Sequence, residues 1–472
     1  MVKNFLVGLF FLVLIAPYLL LFKELQFVSV DLKELGEAFT NTLQQSLASS
    51  VVTILLGLVG ALGLCSFQGS KKLKYFELLC LIPSFVPTLF FVTSILQIIK
   101  PFPFGITGIV LTHTLMYTGL AALFYQSIFQ SKFQKLSELA YLEGASKFQF
   151  FQAVLKNIPF ETVMIFLFLF VQFFTSFSIP LLVGHQDITV ETLIYEKIRT
   201  TGSLLDAVFI SFLESIFIVI MLLLYRAQKG LALLKSYEEI RLLSWKPGLI
   251  AVVMPVALYL GGSLVGSALG IKQLQQNENA FQEIFPLALK SVSLSLATGL
   301  ALLIGLSLLT FIYRNRLFDR FLLSYVPLST VLIGLSLLLV DFMADDIKVI
   351  FAMLIIFLPV LYRFQLKTKL SDLEGQIEVA SLMGSTRFLT FKKIIFPQVL
   401  PSILFLSGLG AFWTIGDFAI SQIIYGKNVT LALYIHSLVG SYRLELANLF
   451  VFLLLFLGLI VFTLFKRIGL EK

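Results

Sequence analysis

The residues best placed for binding chemistry are Glu378, Ala380 and Gly384, in a polar stretch between two long apolar runs. Glu378 falls in the first turn of a short predicted helix, where the helix dipole favours negative charge. Gly384 can take the left-handed conformation that ends such a helix, and Ser385 or the threonine after it can cap the next one. The spacing predicts two short helices separated by a glycine break at a membrane surface, with Arg387 on the second helix.

The same spacing occurs 240 residues earlier, at Glu138, Ala140 and Gly144. In the later copy Pro397 lies thirteen residues after the glycine and fits the first turn of the next membrane helix, where no N–H is needed. In the earlier copy Pro159 lies fifteen residues after the glycine, so this copy is longer or differently phased. Because both copies lie between equivalent apolar runs, we interpret the repetition as functional.

The pattern Glu-x-Ala-x3-Gly-x9-Ile-x-Phe-Pro resembles the "EAA" loop of the permease subunits of binding-protein-dependent ABC importers. In that family the loop docks on a separate ATPase, so the resemblance implies two coupling loops, at about 132–159 and about 367–398. Leu139 and Val379 stand where the family usually has alanine. The alternative is an ordinary amphipathic hairpin at the membrane interface. The coupling residues implied are Glu138, Ala140, Gly144, Ala145, Glu378, Ala380, Gly384, Ser385 and Arg387.

Polar residues inside the apolar runs are candidates for a translocation pathway, because an ionisable group in lipid is costly. Asp417 lies near the outer end of a predicted span, and the resemblance places this region close to the pathway. The alternative for each candidate is a hydrogen-bonded contact between helices. Glu214, deep in the sixth run, is expected to face a neighbouring helix and pair with a hydroxyl. The pathway candidates are Asp417, Trp413, His113, Tyr117, Gln172 and Ser176.

Catalytic signatures are missing from the sequence. It contains no Gly-x4-Gly-Lys-Ser/Thr phosphate loop, so the chain is not expected to bind or hydrolyse ATP. Its three histidines are widely separated, and its two cysteines follow no metal-ligand spacing. We therefore predict no enzyme activity, no metal site and no cofactor of its own.

Composition predicts an all-α integral membrane protein. The 472 residues are 58% hydrophobic and 13% charged, with a mean hydropathy of +0.95, whereas soluble domains carry roughly 25% charged residues. Twelve apolar runs approach the ~20 residues that cross a bilayer. They lie at about 5–22, 46–67, 76–99, 106–129, 160–183, 205–225, 248–271, 288–313, 321–341, 347–366, 399–424 and 446–465.

The two halves of the chain also match outside the loops. Residues 78–83 align with 322–327, and residues 177–179 align with 418–420. These matches predict two parallel six-helix repeats, related by an axis along the membrane normal. The predicted divisions are a first repeat at 1–228, a linker at 229–246 and a second repeat at 247–472. The linker is expected to be a cytoplasmic surface helix that acts as a tether.

Charge sets the predicted orientation. With the N-terminus inside, 25 of the 35 basic residues fall on the cytoplasmic side, as the positive-inside rule requires. Both motif loops and both termini are then cytoplasmic, and the outer face is mildly acidic. The net charge of +8 therefore points to membrane topology and not to nucleic acid.

Over nearly its whole length the chain is similar to the fused permeases of ferric-iron and thiamine uptake. The resemblance implies a bacterial inner-membrane location, two ATPase subunits that use ATP, and a periplasmic binding protein that delivers a small solute. The substrate stays open between ferric iron, thiamine, a phosphonate and another solute. A 12-span secondary transporter driven by an ion gradient is the main alternative, and a membrane scaffold is a second one.

Overall fold

The structure is a computed structural model that describes residues 2–25, 31–70, 72–224, 240–275, 280–312 and 329–470. Within these ranges every regular element is helical, as the composition predicts for a membrane protein. The described part of the first half contains ten helices. They are α1 Val2–Lys23, α2 Leu32–Cys65, α3 Lys72–Phe85, α4 Thr88–Ile98, α5 Ile106–Leu142, α6 Lys147–Asn157, α7 Pro159–Phe174, α8 Ser178–Val183, α9 Val190–Arg199 and α10 Leu204–Leu224.

The described part of the second half is also built from long and short helices. Two π-helical turns, Tyr362–Leu366 and Phe391–Ile395, continue helices without a break. The elements are α11 Ile250–Leu274, α12 Ala280–Ile312, α13 Thr330–Leu338, α14 Asp345–Leu361, α15 Lys367–Asp372, α16 Glu374–Leu382, α17 Arg387–Thr390, α18 Phe396–Ile415, α19 Ala419–Tyr425, α20 Leu431–Gly440 and α21 Leu444–Leu470.

Membrane-crossing helices dominate the described residues. Seven helices are long and apolar enough to cross a bilayer, and up to nine spans result if each of two bent helix pairs counts as one. The chain is therefore a multi-pass membrane protein. Twelve spans stay a prediction, and residues 321–328 of the predicted span 321–341 lie outside the described residues. The seven helices are α2, α5, α10, α11, α12, α21 and the continuous helix Arg387–Ile415.

Three predicted spans are not straight helices. The run at 76–99 contains a bend of 97° between α3 and α4, at Pro87, which precedes α4 and lacks the N–H that a continuous helix needs. The runs at 160–183 and 399–424 are also interrupted, because α7 ends at Phe174 and α18 ends at Ile415 before a short new helix begins. Hydropathy does not register such breaks, since the residues on both sides are apolar.

The two halves are interleaved. Helix α11 of the second half packs against α2, α3, α4 and α5 of the first, and α1 of the first half packs against α12 and α13 of the second. At the α11–α4 crossing, a Cβ on Gly262 would lie 1.9 Å from the carbonyl oxygen of Ser94, so only glycine permits this approach. Small residues at such crossings let membrane helices pack closely.

The segment between the halves is described from Ile240 onward. It forms two 3₁₀ turns, Arg241–Leu243 and Lys246–Leu249, so the predicted surface helix does not extend through this part. Ile240 donates its N–H to Gln68 Oε1 at 2.9 Å, and Trp245 donates its N–H to the Leu62 carbonyl at 3.1 Å. The end of the segment is thus fixed against α2 and the turn that follows it. Its residues 229–239 lie outside the described residues.

Candidate coupling loops and pathway residues

The first loop has the predicted break. Helix α5 ends before Gly144, which has φ +79°, and the Ala145 N–H donates to the Ala140 carbonyl at 2.9 Å. Such a bond closes a helix through a left-handed glycine. Ser146 then starts α6 with a capping box in which Gln149 takes part.

The second loop repeats this geometry. Gly384 has φ +78°, and the Ser385 N–H donates to the Ala380 carbonyl at 3.0 Å. Thr386, not Ser385, caps the next helix, because its hydroxyl accepts from the Leu389 N–H at 3.4 Å. The two loops therefore share a helix, a left-handed glycine and a capped second helix.

Both loops expose several large apolar side chains. Leu142 is 81% exposed and Leu382 is 83% exposed. Large exposed apolar patches mark interaction sites, and both leucines lie in polar stretches between the long apolar helices. We call the group of exposed apolar side chains in each loop a loop patch. The first loop patch is Leu139, Tyr141, Leu142 and Phe148, and the second is Val379, Leu382, Met383 and Phe388.

The predicted coupling residues divide by exposure. Ala380 is only 8% exposed, so its side chain faces the chain itself. Ala140, Ala145 and Ser385 are half-buried. Together with Ala380, these residues form the two helix-closing hydrogen bonds. The exposed members are Glu138, Gly144, Glu378, Gly384 and Arg387.

The two loops join their membrane helices differently. Helices α6 and α7 meet at a bend of 65° around Ile158, where Pro159 starts α7. In the second loop, α17 continues through a π-helical turn into α18, so that Arg387–Ile415 runs as one helix. The first loop, which has the bend, also has two more residues between its glycine and its proline than the second loop.

The described linker touches the first loop. Lys147 Nζ donates to the Ser244 carbonyl at 3.1 Å, and the Arg241 guanidinium lies 5.7 Å from the ring centroid of Tyr141. The end of this segment therefore contacts one side of the first loop, and its role as a tether stays a prediction.

Asp417 and Trp413 lie at the end of α18. Asp417 Oδ2 accepts from the Ser421 N–H at 3.3 Å and from the Ser421 hydroxyl at 3.5 Å. It also lines a cavity of about 10 Å³ with Ser291, Thr414 and other residues, roughly the space of one water. Trp413 instead donates its indole N–H to the Phe85 carbonyl at 2.8 Å, at the bend between α3 and α4. The Trp413 hydrogen bond therefore connects the second half to the first, whereas the Asp417 contacts lie within the second half.

The other pathway candidates lie in the first half. The rings of His113 and Tyr117 both pack on Phe173, with centroids 4.5 and 5.2 Å away. His113 Nδ1 lies 3.4 Å from the Ser49 hydroxyl. Gln172 and Ser176, on either side of Phe173 in sequence, are half-buried. The structure thus brings His113 and Tyr117 together but assigns Asp417 and Trp413 to a different place.

Glu214 has an unexpected neighbour. A hydroxyl partner is expected from the sequence, but the carboxyl group of Glu214 faces the carboxyl group of Glu191 on α9. The hydroxyl of Ser329 donates to Glu191 instead, at 2.6 Å. The prediction is wrong in its partner because Glu191 lies in what hydropathy marks as an outer loop.

Further polar contacts join the halves beside α9. Gln422 donates to the Tyr195 hydroxyl at 2.8 Å, and the Arg199 guanidinium donates to the Ile423 carbonyl.

Asp346 accepts from the Tyr425 hydroxyl at 2.6 Å and pairs with Lys290. Burial acts to raise the pKa of Asp346, but these two donors outweigh it and the pKa is lowered. Among the described residues, no group of three or more His, Cys, Asp or Glu is arranged to hold a metal.

Comparison with known proteins adds one finding. Residues 53–232 match a family model described as "Binding-protein-dependent transport system inner membrane component". The matched range begins within α2 and includes the first loop. Comparisons with curated proteins and with solved structures gave no match. Over these 180 of its 472 residues the chain is similar to the membrane component of a transport system that uses a binding protein, in agreement with the resemblance found in the sequence.

Proposed function

We propose that this chain is the fused permease of an ABC importer, with both membrane halves in one polypeptide divided at 1–228, 229–246 and 247–472. In this proposal two ATPase subunits bind the cytoplasmic loops and use ATP, while the chain itself has no enzyme activity and no cofactor. A periplasmic binding protein delivers a small solute to the outer face. The chain lies in a bacterial inner membrane with both termini in the cytoplasm.

The observation that carries the proposal is the matched geometry of the two loops. Each has a glycine near φ +78°, the same helix-closing hydrogen bond and an exposed apolar patch beside an exposed glutamate. An apolar patch outside the bilayer favours a protein partner. Two equivalent patches favour two copies of one partner, which fits a dimer of ATPase subunits.

Similar cap geometry supports the proposed parallel repeat. The Val190 N–H, which follows the Thr189 cap, donates to the Thr42 hydroxyl of α2 at 2.9 Å. The Leu431 N–H, which follows the Thr430 cap, donates to the Ser291 hydroxyl of α12 at 2.9 Å. In each half a short helix is thus held by a hydroxyl of the long second helix.

The proposed mechanism is a change in the contacts between the halves. ATP-driven closure of the two ATPase subunits would move both loops and, through α7 and α18, the short helices that follow them. Helices α9 and α19 meet at Tyr195, Gln422 and Arg199, so this movement would open and close the outer side. The substrate remains open between ferric iron, thiamine, a phosphonate and another small solute.

A second candidate is a secondary transporter driven by an ion gradient. The buried pair Glu191 and Glu214 favours it, because such carriers need ionisable groups within the membrane. Uptake into cells separates the two. Vanadate-sensitive, ATP-dependent uptake supports the importer, whereas collapse by a protonophore at constant ATP supports the carrier.

The direct test is the variant Glu378→Arg. Reversing this exposed charge should weaken association with the ATPase and reduce uptake, while membrane insertion stays intact. Mass spectrometry of the chain purified in mild detergent measures the association, with about two ATPase copies expected per chain. Asp341→Arg, an exposed acid on the predicted outer side, is the matched control. Normal association and uptake in Glu378→Arg would contradict the coupling role.

A further inference from the structure

Two glutamates meet inside the first half of the molecule. Glu191 lies in the first turn of α9 and Glu214 lies midway along α10. Their side chains are 0% and 1% exposed, and their carboxyl groups are within hydrogen-bonding reach of each other. The proposed function by itself assigns no role to this pair.

Few hydrogen-bond donors reach the carboxyl oxygens of this pair. Glu191 Oε2 accepts from the Ser329 hydroxyl at 2.6 Å. Glu191 Oε1 and both carboxyl oxygens of Glu214 have no donor among the described residues. Ionised carboxylates only accept hydrogen bonds, so a bond between the two groups requires a proton on one of them.

Other charged groups nearby are engaged elsewhere. Helix α9 packs against α2, α10, α13 and α19, and α10 packs against α1 and α7. Glu191 and Glu214 interact with each other, and Glu191 also accepts from Ser329. Helix α13 has no titratable side chain, α1 brings Tyr18, and α10 brings Asp206 at its outer end. Several other groups on these helices pair elsewhere: Lys197 with Glu34, Lys33 with Glu37, Tyr425 with Asp346, and Glu161 with Lys132. On α9 itself, Arg199 donates to the Ile423 carbonyl, Tyr195 accepts from Gln422, and Glu196 lies near Lys197.

We propose that Glu191 and Glu214 form a proton-binding site whose occupancy is linked to the contact between the two halves at Ser329. Two adjacent carboxylates without a cation are strongly disfavoured in an apolar interior. One proton taken from water, bonded to one carboxyl oxygen and shared with the other, removes this cost. A metal ion fits less well, because the carboxyl oxygens are sealed from solvent and only one hydroxyl supplements them.

The link to conformation comes from Ser329. This residue belongs to the second half and caps α13, so its bond to Glu191 crosses between the halves. When the halves separate there, Glu191 loses its donor and meets water, which hydrates a carboxylate and accepts the proton. Acid therefore favours the joined arrangement seen here.

Infrared spectroscopy of the purified full-length chain tests the site without transport. Wild type should show the carbonyl band of a protonated carboxyl in neutral buffer, and Glu191→Gln and Glu214→Gln should each lose it. Glu196→Gln, on the same helix α9, should keep it. Retention of the band in both pair variants would overturn the proposal. Absence of the band in wild type would also overturn the proposal. A stoichiometric cation found in that wild-type sample would then show that a metal ion, and not a proton, occupies the site.

Uptake provides a second readout. Wild-type uptake should fall in acidic medium, because proton release is needed to separate the halves. Glu214→Gln, which keeps an N–H donor facing Glu191, should lose this pH dependence. An unchanged pH profile in Glu214→Gln would overturn the link to conformation. Loss of ATP dependence in wild type would instead overturn the proposed importer and leave the infrared result standing.

Discussion

At the scale of single residues, the left-handed glycines are the most sharply defined feature of the loops. Gly384 has φ +78°, and a Cβ there would meet nothing within 4 Å. The requirement is therefore conformational and not a matter of space. An L-residue in this conformation costs about 1–2 kcal/mol.

We predict that Gly384→Ala destabilises the second loop by about this amount and weakens ATPase association by up to about 30-fold. Hydrogen exchange of the loop amides and the affinity for the ATPase measure the two effects. Gly375→Ala is the matched control, because Gly375 lies in α16 with open space around it and no positive φ. Alanine there should be neutral or stabilise the helix by about 0.5–1 kcal/mol. Equal effects of the two substitutions would contradict the prediction.

Sequence predicted these glycines because the signal is local. A helix end, a glycine and a cap lie within a few residues, and each has a residue preference of its own. The pairing of Glu191 with Glu214 could not be predicted in this way. It depends on how α9 folds back against α10, and a run of polar and apolar residues at 184–204 resembles an outer loop.

At the scale of elements, the breaks after α7 and α18 shape the interior. Gly416 follows α18 and lies against Pro87 at the bend between α3 and α4, where a Cβ would come within 2.5 Å of the proline ring. A proline ring cannot rotate away, so the backbone must shift. Hydropathy predicted the helices before and after each break but not the breaks themselves. The turns are buried between apolar segments, so their residues do not lower the hydropathy of the run.

We predict that Gly416→Ala lowers the free energy of unfolding by about 1–3 kcal/mol, as expected for overpacking. The thermal unfolding midpoint of the purified chain measures it. Gly440→Ala is the comparison, because a Cβ there meets nothing within 4 Å and the change should stay within about 0.5 kcal/mol. If both variants unfold at the wild-type temperature, the contact with Pro87 is not tight.

At the scale of the whole molecule, the two halves depend on each other. Helix α11 is packed against four helices of the first half, and α1 packs against the second. The sequence predicted two repeats but not this exchange of first helices, because hydropathy contains no information about which span touches which.

We predict that the halves assemble when they are produced as two chains divided within 229–239. The helix contacts do not require the peptide link, so the half-chains should co-purify. Each half produced alone should accumulate less, because it exposes the helix faces that its partner covers. Co-purification from the membrane and the amount of each half-chain measure these outcomes. A first half that is stable alone would contradict the interleaved packing.

The different joints of the two loops have a mechanical consequence. The second loop continues into its membrane helix as one rod of 29 residues, about 44 Å long at 1.5 Å per residue, so a force at Arg387 is transmitted along its axis. The first loop meets α7 at a bend of 65°, which yields like a hinge and absorbs part of the same force. Two identical motor subunits pressing on the proposed complex would therefore perform unequal work on its two sides, and the stiffer second half would move first.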